Sequence, residues 1–219
     1  MTCSQCRGIE RQFDDRVARR QLRRNRRKGP SKTTRMLLDA LEGTGVAGAS
    51  FLDVGGGVGA IQHALMDRGA SRGTSVDASP AYLATAREEA RVRGYADSVR
   101  YVEGDFVEAQ SDVEDADIVT LDRVVCCYPD MPALVDASAS RARRAYGLVY
   151  PRENWLAKLA IGLINLTQRI RRQPFRAYVH PTAAVEERVG RHGLVRVYHA
   201  QSTVWQIAVF TPAGVEIAA

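Results

Sequence analysis

The chain has 219 residues, of which 45% are hydrophobic and 26% charged, and its formal net charge is +6. This composition is typical of a globular protein and excludes a chain too polar to bury a core. It contains no uncharged apolar run of the roughly 18 residues that a membrane span requires, and no secretory signal is visible. The four cysteines, two of them adjacent, do not form the pattern of a disulfide framework, so we expect a cytoplasmic enzyme.

The positive charge is concentrated at the start of the chain. Residues 1–35 contain twelve Lys and Arg residues against three acidic residues, a net of +9, so the remainder sums to −3. Such an asymmetry is typical of a surface that contacts nucleic acid or a membrane, and equally of a solvated helix.

The predicted elements begin with two helices and continue as alternating strands and helices. The first helices are 9–28, which ends at Gly29-Pro30, and 33–42. From residue 50, short apolar runs alternate with helical stretches, which is typical of βαβ units and a mostly parallel sheet. The predicted strands are 50–54, 73–77, 98–103, 116–121, 145–150, 194–200 and 203–211. The predicted helices between them are 58–69, 80–94, 131–144, 154–171 and 181–192. The order predicts a doubly wound α/β sheet whose last two strands pair as an antiparallel hairpin.

A glycine-rich turn follows the first strand, in the segment Phe51-Leu52-Asp53-Val54-Gly55-Gly56-Gly57-Val58-Gly59-Ala60. Glycines let the backbone turn sharply and let a ligand approach the peptide groups closely. Because Gly55, Gly57 and Ala60 also fit the dinucleotide pattern G-x-G-x-x-G/A, a nicotinamide-dependent enzyme is an alternative at this point.

Carboxylates at the ends of three predicted strands help to distinguish a dinucleotide site from a site for a cofactor that contains a methionine moiety. Asp53 can accept from the ammonium of a methionine moiety, which has no counterpart in a dinucleotide. Asp77 can hydrogen-bond two ribose hydroxyls, which fits both cofactors. Gly104-Asp105-Phe106 follows the third strand and supplies an acceptor for an adenine amino group beside an aromatic ring. Together these positions favour the methionine-containing cofactor.

With these motifs, the chain resembles class I S-adenosylmethionine-dependent methyltransferases from about residue 45 to residue 212. The resemblance implies a Rossmann-like sheet of seven strands, mostly parallel with an antiparallel edge strand and flanked by helices. It implies a basic N-terminal helical cap over 1–43 and a methyltransferase domain over 44–219 with a helical insertion at about 153–180. It also implies S-adenosyl-L-methionine as the cofactor, held by the following residues: Asp53, Gly55, Gly57, Gly59, Asp77, Ala78, Gly104, Asp105, Phe106 and Leu121.

Three longer motifs are similar to bacterial proteins described as magnesium-protoporphyrin O-methyltransferase-like. They are Cys6-x-Gly8-Ile9-Glu10, Arg27-Lys28-Gly29-Pro30 and Leu121-Asp122-Arg123-Val124-Val125-Cys126-Cys127-Tyr128-Pro129-Asp130-Met131. This resemblance implies methylation of a porphyrin propionate. In that family a His precedes the Tyr-Pro pair and is implicated in catalysis, whereas this chain has Cys127 there.

The acceptor chemistry suggests four catalytic candidates. A carboxylate acceptor is already ionised at pH 7, because the pKa of a carboxyl group in water is about 4, so it needs orientation rather than a general base. The planar fork of arginine suits that task, which makes Arg123 and Arg152 candidates. A phenol or thiol acceptor would instead need a base, for which His180 is the best-placed histidine. Cys127 follows the fourth strand, where it can face the acceptor.

Two further features of the sequence bear on metal binding and on contacts of the helix 155–170. Cys3 and Cys6 have the spacing of half a zinc site, but two further ligands are missing, so we predict no metal. The helix 155–170 is apolar on most sides and has a basic end, which suits a lid over a large flat acceptor, peripheral contact with a membrane, or ordinary packing.

We therefore expect a small-molecule O-methyltransferase, with a porphyrin or another anionic or aromatic acceptor as its substrate. An RNA methyltransferase that binds phosphate through Arg19–Lys28 is the alternative, although that segment lacks aromatic residues for stacking on bases. A cofactor-binding module without activity is the third hypothesis. The oligomeric state is not predicted.

Overall fold

The computed structural model describes Gly8 and residues 12–215 of the chain, so the prediction for Cys3 and Cys6 lies outside the described residues. Within them, seven strands form one sheet: β1 (Ser50–Val54), β2 (Arg72–Asp77), β3 (Val99–Glu103), β4 (Ala116–Asp122), β5 (Ala142–Pro151), β6 (Leu194–Gln201) and β7 (Trp205–Pro212). The strand order is β3-β2-β1-β4-β5-β7-β6. Strands β1 to β5 are parallel, and β7 is antiparallel to both β5 and β6. The predicted mostly parallel sheet with an antiparallel edge is confirmed.

Eight helices of the described residues connect or flank these strands: α1 (Asp15–Lys28), α2 (Lys32–Glu42), α3 (Ala60–Asp67), α4 (Pro80–Val92), α5 (Phe106–Ala109), α6 (Met131–Ala139), α7 (Trp155–Ile170) and α8 (Thr182–Gly190). Side-chain caps determine where several of them begin. Asp14, Ser79 and Asn154 each accept a hydrogen bond from the backbone N–H three residues later. Such a cap satisfies one of the backbone donors that a helix N-terminus leaves unpaired. None of the described helices is long and apolar enough to cross a membrane.

Two predicted helices have different bounds in the structure. The helix predicted over 9–28 is interrupted, because Asp14 is extended and caps a helix that begins at Asp15. The helix predicted over 131–144 ends at Ala139, and β5 begins at Ala142 after a short turn. The arginines at the start of that strand are paired there, since Arg143 and Arg144 each lie 3.6 Å from an aspartate at the start of the neighbouring strand.

The two N-terminal helices occupy different places. The apolar face of α2 packs against β5 and β7, and Leu37, Leu38 and Leu41 are at most 1% exposed. In contrast, α1 packs against α4, where the Tyr82 hydroxyl donates to Gln21 Oε1 at 2.8 Å. Of the predicted cap, therefore, α1 lies beside the carboxyl ends of the parallel strands while α2 forms part of the layer that covers the sheet.

Candidate active site

A cavity of about 480 Å³ lies at the carboxyl ends of the parallel strands, where ligands bind in open α/β sheets. Eight of the ten residues predicted to hold the cofactor line it: Asp53, Gly55, Gly57, Asp77, Ala78, Gly104, Asp105 and Phe106. They come from the ends of three strands that are neighbours in the sheet, which explains why residues far apart in sequence meet here.

Asp53 is a buried carboxyl with one oxygen unsatisfied. Its side chain is 2% exposed, and Oδ1 accepts from the Thr120 hydroxyl at 2.8 Å. Oδ2 has no hydrogen-bond partner among the described residues. Burial raises the pKa of Asp53 to about 7, and the hydrogen bond from Thr120 opposes that shift only in part. A buried carboxylate is costly unless a charge or a donor meets it, so this position suits a ligand cation.

Asp77 ties the glycine-rich turn to the end of β2. Its Oδ2 accepts from the backbone N–H of Gly57 at 2.9 Å, and its Oδ1 accepts from that of Ser79 at 2.8 Å. Burial raises the pKa of Asp77 to about 6, while these two backbone donors lower it. The carboxylate is thus held in one orientation at the cavity wall.

The glycine-rich turn requires glycine for two reasons. Gly55 and Gly57 have φ values of +66° and +58°, which side-chain-bearing residues rarely adopt. A Cβ on Gly55 would also lie 2.4 Å from Cγ2 of Val124. The turn is therefore a bare backbone surface that a ligand can approach closely.

Two predicted cofactor residues do not reach the cavity. Gly59 precedes α3 with φ of +78°, and a Cβ there would lie 2.8 Å from Nε2 of His63, so this glycine serves the packing of the helix start. Leu121 is 0% exposed and packs in the apolar core under the sheet. Their contact with the cofactor stays a prediction, because the motif spacing does not distinguish a residue that faces a ligand from a residue that supports it.

Asp105 connects two loops of the cavity. It caps α5 by accepting from the backbone N–H of Val107 at 2.9 Å. The hydroxyl of Tyr128 donates to the same carboxylate, at 2.9 Å from Oδ1 and 3.0 Å from Oδ2. Phe106 lines the cavity beside it and is 4% exposed. Tyr128 was not predicted as a residue of the site, although it belongs to the Tyr-Pro pair of the longest motif.

Arg123 lies at the cavity wall. Its backbone is left-handed, with φ of +64°, which is uncommon for a residue other than glycine. Its Nε lies 3.0 Å from Oδ1 of Asp122, whose Oδ2 accepts from the Thr34 hydroxyl at 2.6 Å. The guanidinium is therefore oriented by a hydrogen-bonded pair while its side chain remains 37% exposed.

Cys126 and Cys127 also line the cavity, and their sulfur atoms lie 3.8 Å apart. Cys126 is buried, and its hydrogen bond with Cys127, together with burial, raises the pKa of its thiol. A thiol with a raised pKa stays protonated at neutral pH, so Cys126 is a poor base or nucleophile.

In overall structure the protein is similar to magnesium protoporphyrin IX methyltransferase from Synechocystis PCC 6803 with bound S-adenosylhomocysteine. The TM-score is 0.67 at 21% identity, over 83% of each chain. It is also similar to an O-methyltransferase family protein from Burkholderia thailandensis, with a TM-score of 0.66 at 16% identity, over 94% of this chain and 62% of the other. Both identities are below 25%, so these likenesses show the fold alone.

The sequence comparisons concern parts of the chain. Residues 52–150 match the family model that describes a methyltransferase domain. Residues 52–150 therefore carry a methyltransferase domain, and the fold is similar to that of solved methyltransferase structures. Among curated proteins, ribosomal protein L11 methyltransferase from Deinococcus radiodurans is 37% identical over 76 residues, which are 35% of this chain and 28% of that protein. The chain thus spans less than a third of the length of this curated relative.

The residues of this cavity fit S-adenosylmethionine, the cofactor that a methyltransferase domain implies. The unpartnered Oδ2 of Asp53 matches the cationic amino group of the methionine portion. The bare turn at Gly55 leaves room that a side chain would fill. Apolar contacts for an adenine ring come from Phe106 and neighbouring residues of the cavity wall.

Two predicted catalytic residues lie outside the cavity of the methyltransferase domain. Arg152 donates from Nη1 to the carbonyl oxygen of Ser202 at 2.9 Å, so its guanidinium holds the turn between β6 and β7. Nε2 of His180 lies 3.0 Å from the carbonyl oxygen of Tyr128, and burial lowers the pKa of this histidine. A ring nitrogen that donates to a carbonyl cannot accept a proton, but the other nitrogen of a neutral imidazole can. The role of His180 as a base therefore stays a prediction, although this histidine does not line the cavity.

The apolar wall of the cavity was not predicted as part of the site. It consists of side chains from the start of the described chain, from α7 and the segment after it, and from β7: Phe13, Ile161, Ile164, Phe175, Ala177 and Trp205. Phe13 contacts both Tyr82 and Phe175, with ring centroids 5.3 and 6.0 Å apart. The predicted lid function of the helix 155–170 was the one sequence signal that pointed to this wall.

Proposed function

We propose that the protein transfers a methyl group from S-adenosylmethionine to an oxygen atom of a small-molecule acceptor, and that a porphyrin propionate is the first acceptor to test. One observation supports this most directly. A single cavity runs from the buried carboxyl of Asp53 to the apolar wall of α7, with the guanidinium of Arg123 at its wall. A cofactor and a large apolar acid would meet in such a cavity.

The cofactor half of the proposal assigns a role to each polar group. Asp53 accepts from the ammonium, Asp77 accepts from the ribose hydroxyls, and Asp105 accepts from the adenine amino group beside Phe106. The backbone of Gly55, Gly57, Ala78 and Gly104 forms the remaining surface. When bound, S-adenosylmethionine supplies an electrophilic methyl group on a sulfonium.

The acceptor half needs orientation more than acid–base catalysis. Because a carboxylate is ionised at neutral pH, no side chain has to remove a proton from it. Arg123, held by Asp122, would bind one carboxylate oxygen and aim the acceptor at the methyl group. Correct placement alone can lower the barrier by roughly 7–11 kcal/mol. Cys127, at the position of the expected histidine, would then contact the acceptor.

The test combines a binding and a transfer experiment on the whole protein. Isothermal titration with S-adenosylhomocysteine compares the wild type with Asp53→Asn, and a mass-spectrometric assay follows ester formation on magnesium protoporphyrin. We expect Arg123→Gln to lower the transfer rate about 10- to 100-fold, the range for a hydrogen bond to a charged group. The control Arg143→Gln removes an exposed arginine from the other end of the sheet and should change neither quantity.

The outcomes separate the parts of the proposal. Cofactor binding with ester formation would support both halves. Cofactor binding without transfer to any acid, phenol or RNA would favour a cofactor-binding module without activity. Failure to bind S-adenosylhomocysteine would contradict the proposed cofactor site itself.

An RNA acceptor is the second candidate, because the arginines of α1 form an exposed basic surface beside the cavity: Arg16, Arg19, Arg20, Arg23, Arg24 and Arg27. Contacts with phosphates release counterions, so RNA binding would weaken steeply with salt. Neutralising Arg19, Arg23 and Arg27 together should then abolish RNA binding. A salt-independent or unaffected interaction would contradict this candidate.

A further inference from the structure

Helix α7 packs against the protein with one face and exposes large apolar side chains on the opposite face. Ala157, Ile161 and Gln168 face the protein and are buried. On the opposite side, residues spaced four, four, three and four apart form what we call the apolar stripe: Trp155 (71% exposed), Leu159 (53%), Leu163 (55%), Leu166 (53%) and Ile170 (71%). This spacing aligns them along one face of an α-helix. Five large apolar side chains therefore lie together in contact with solvent, which is unusual for a monomeric protein surface.

The charged residues within helix α7 and the segment after it are all basic. Residues 154–185 contain no Asp or Glu, and their charged residues are Lys158, Arg169, Arg171, Arg172 and Arg176, whereas Glu153 directly precedes this segment. Lys158, Arg169, Arg171 and Arg172 are exposed. Most of these charges follow the C-terminal half of the helix, where they also complement the helix dipole. A partner for this surface should offer an apolar interior to the stripe and negative charges at its surface to the basic residues.

We propose that the apolar stripe of α7 docks on an anionic lipid surface, with the helix axis in the plane of the membrane. A helix of 16 residues is about 24 Å long, shorter than the roughly 30 Å of a hydrocarbon core, so it lies in the interface. A polar edge of Lys and Arg beside a row of Trp and Leu is the pattern of interfacial helices. Trp155 at one end of the stripe suits the headgroup region, where tryptophan is enriched.

A lipid surface fits this face better than a second copy of the chain. A second copy that met the apolar stripe through its own residues 154–185 would contribute only basic charges, whereas anionic headgroups neutralise the arginines. Docking also has a geometric consequence. Ile164 lines the cavity, so the helix that docks also forms part of the cavity wall. Docking itself does not depend on the proposed methyl transfer.

The test measures binding of the whole protein to extruded vesicles of phosphatidylcholine, with and without phosphatidylserine, by co-sedimentation. We expect binding to the anionic vesicles, weakened by salt. Replacing Arg169, Arg171 and Arg172 by Gln should reduce the partition coefficient about fivefold for each charge removed. The double variant Leu159→Gln/Leu163→Gln should reduce it by about tenfold or more. The control Val92→Gln removes an apolar side chain that is 66% exposed on α4 and should not change binding.

A spectroscopic measurement locates the contact. The chain has two tryptophans, so a Trp205→Phe background leaves Trp155 as the single reporter. We expect its emission to shift to shorter wavelength with anionic vesicles and to be quenched by brominated lipid. Binding that survives Leu159→Gln/Leu163→Gln, or no shift of the emission, would overturn the proposal. Sedimentation that shows a dimer abolished by the same double variant, without vesicle binding, would overturn it in favour of self-association.

Discussion

The phenol hydroxyl of Tyr128 lies 2.9 Å from one carboxylate oxygen of Asp105 and 3.0 Å from the other, so a single donor is shared across the carboxylate. Asp105 belongs to the loop after β3, and Tyr128 to the loop after β4. Strands β3 and β4 are not neighbours, since β1 and β2 lie between them. The contact therefore joins two distant loops of the cavity.

Removing the hydroxyl should loosen this junction. We expect Tyr128→Phe to lower the free energy of unfolding by about 1.5–3 kcal/mol, the usual range for hydrogen bonds to charged groups. Urea denaturation would measure the change, and Tyr178→Phe serves as a control because it removes a phenol hydroxyl from a nearby loop. An equal loss in both variants would contradict a special contribution from the Tyr128–Asp105 contact.

Asp53 should make the cofactor-free protein less stable as the pH rises. Burial raises its pKa to about 7 in the folded protein, compared with an ordinary pKa of 3.8 for an aspartate in water, so the folded state holds the proton more tightly. Its contribution to stability is therefore fully present below about pH 4 and is lost as the pH rises through 7. Asp77, whose pKa burial raises to about 6, adds a smaller trend of the same sign.

The variant Asp53→Asn cannot ionise at this position, so its stability should fall less with pH. At pH 8 we expect it to be more stable than the wild type by a few kcal/mol, since one pKa unit corresponds to about 1.4 kcal/mol. Urea denaturation of both proteins without cofactor, at pH 4, 6 and 8, gives the comparison. Parallel curves would show that Asp53 does not carry a raised pKa.

Cofactor affinity should change with pH in the opposite direction. An ammonium pairs with Asp53 only when the carboxyl is ionised, so binding requires the loss of a proton below the pKa of about 7. We expect the Kd for S-adenosylhomocysteine to rise about tenfold for each pH unit below 7, by proton linkage. Titration calorimetry between pH 5.5 and 8 would measure it. In Asp53→Asn the affinity should be weaker and its pH dependence flatter, whereas an unchanged profile would contradict the assigned contact.

Substitution of two glycines with similar φ values distinguishes the effect of backbone strain from the effect of a side chain at the cavity. Gly48 and Gly55 have φ values of +73° and +66°, so Ala at either position should cost about 1–2 kcal/mol of stability. A Cβ on Gly48 meets no atom within 4 Å, whereas one on Gly55 would lie 2.4 Å from Val124, which lines the cavity. We expect Gly48→Ala to leave the Kd for S-adenosylhomocysteine unchanged and Gly55→Ala to raise it at least tenfold. Equal Kd values would show that the turn does not contact the cofactor.

The sheet and the cofactor end of the cavity could be predicted because their signals are local. The strand bounds 50–54 agree with those of β1, and the turn at Gly55 follows directly from the glycine-rich segment. The carboxylates of Asp53, Asp77 and Asp105 each end or follow a strand, and parallel strands bring such positions to one edge.

The apolar end of the cavity could not be predicted in the same way, because it depends on packing between distant segments. Nothing in the neighbourhood of Phe13 indicates that its ring meets Phe175, and nothing near Arg152 indicates that its guanidinium turns to Ser202. Periodicity shows that α7 is apolar on most sides, but not which side covers the cavity. The position of β7 inside the sheet had a signal in the uninterrupted apolar run Ile207-Ala208-Val209-Phe210, which is typical of a strand buried on both faces.

The place of β7 in the sheet has a consequence for synthesis on the ribosome. Strand β7 is made after every other strand described, yet it separates β5 from β6 and supplies the hydrogen-bonding partner of both. Until residues 205–212 have left the exit tunnel, β5 has an open edge, and the part of α2 that packs against β7 has no cover. The emerging chain therefore holds an incomplete sheet through most of translation, a state in which unpaired strand edges favour aggregation. A chaperone that shields apolar surface would therefore be needed most before β7 emerges.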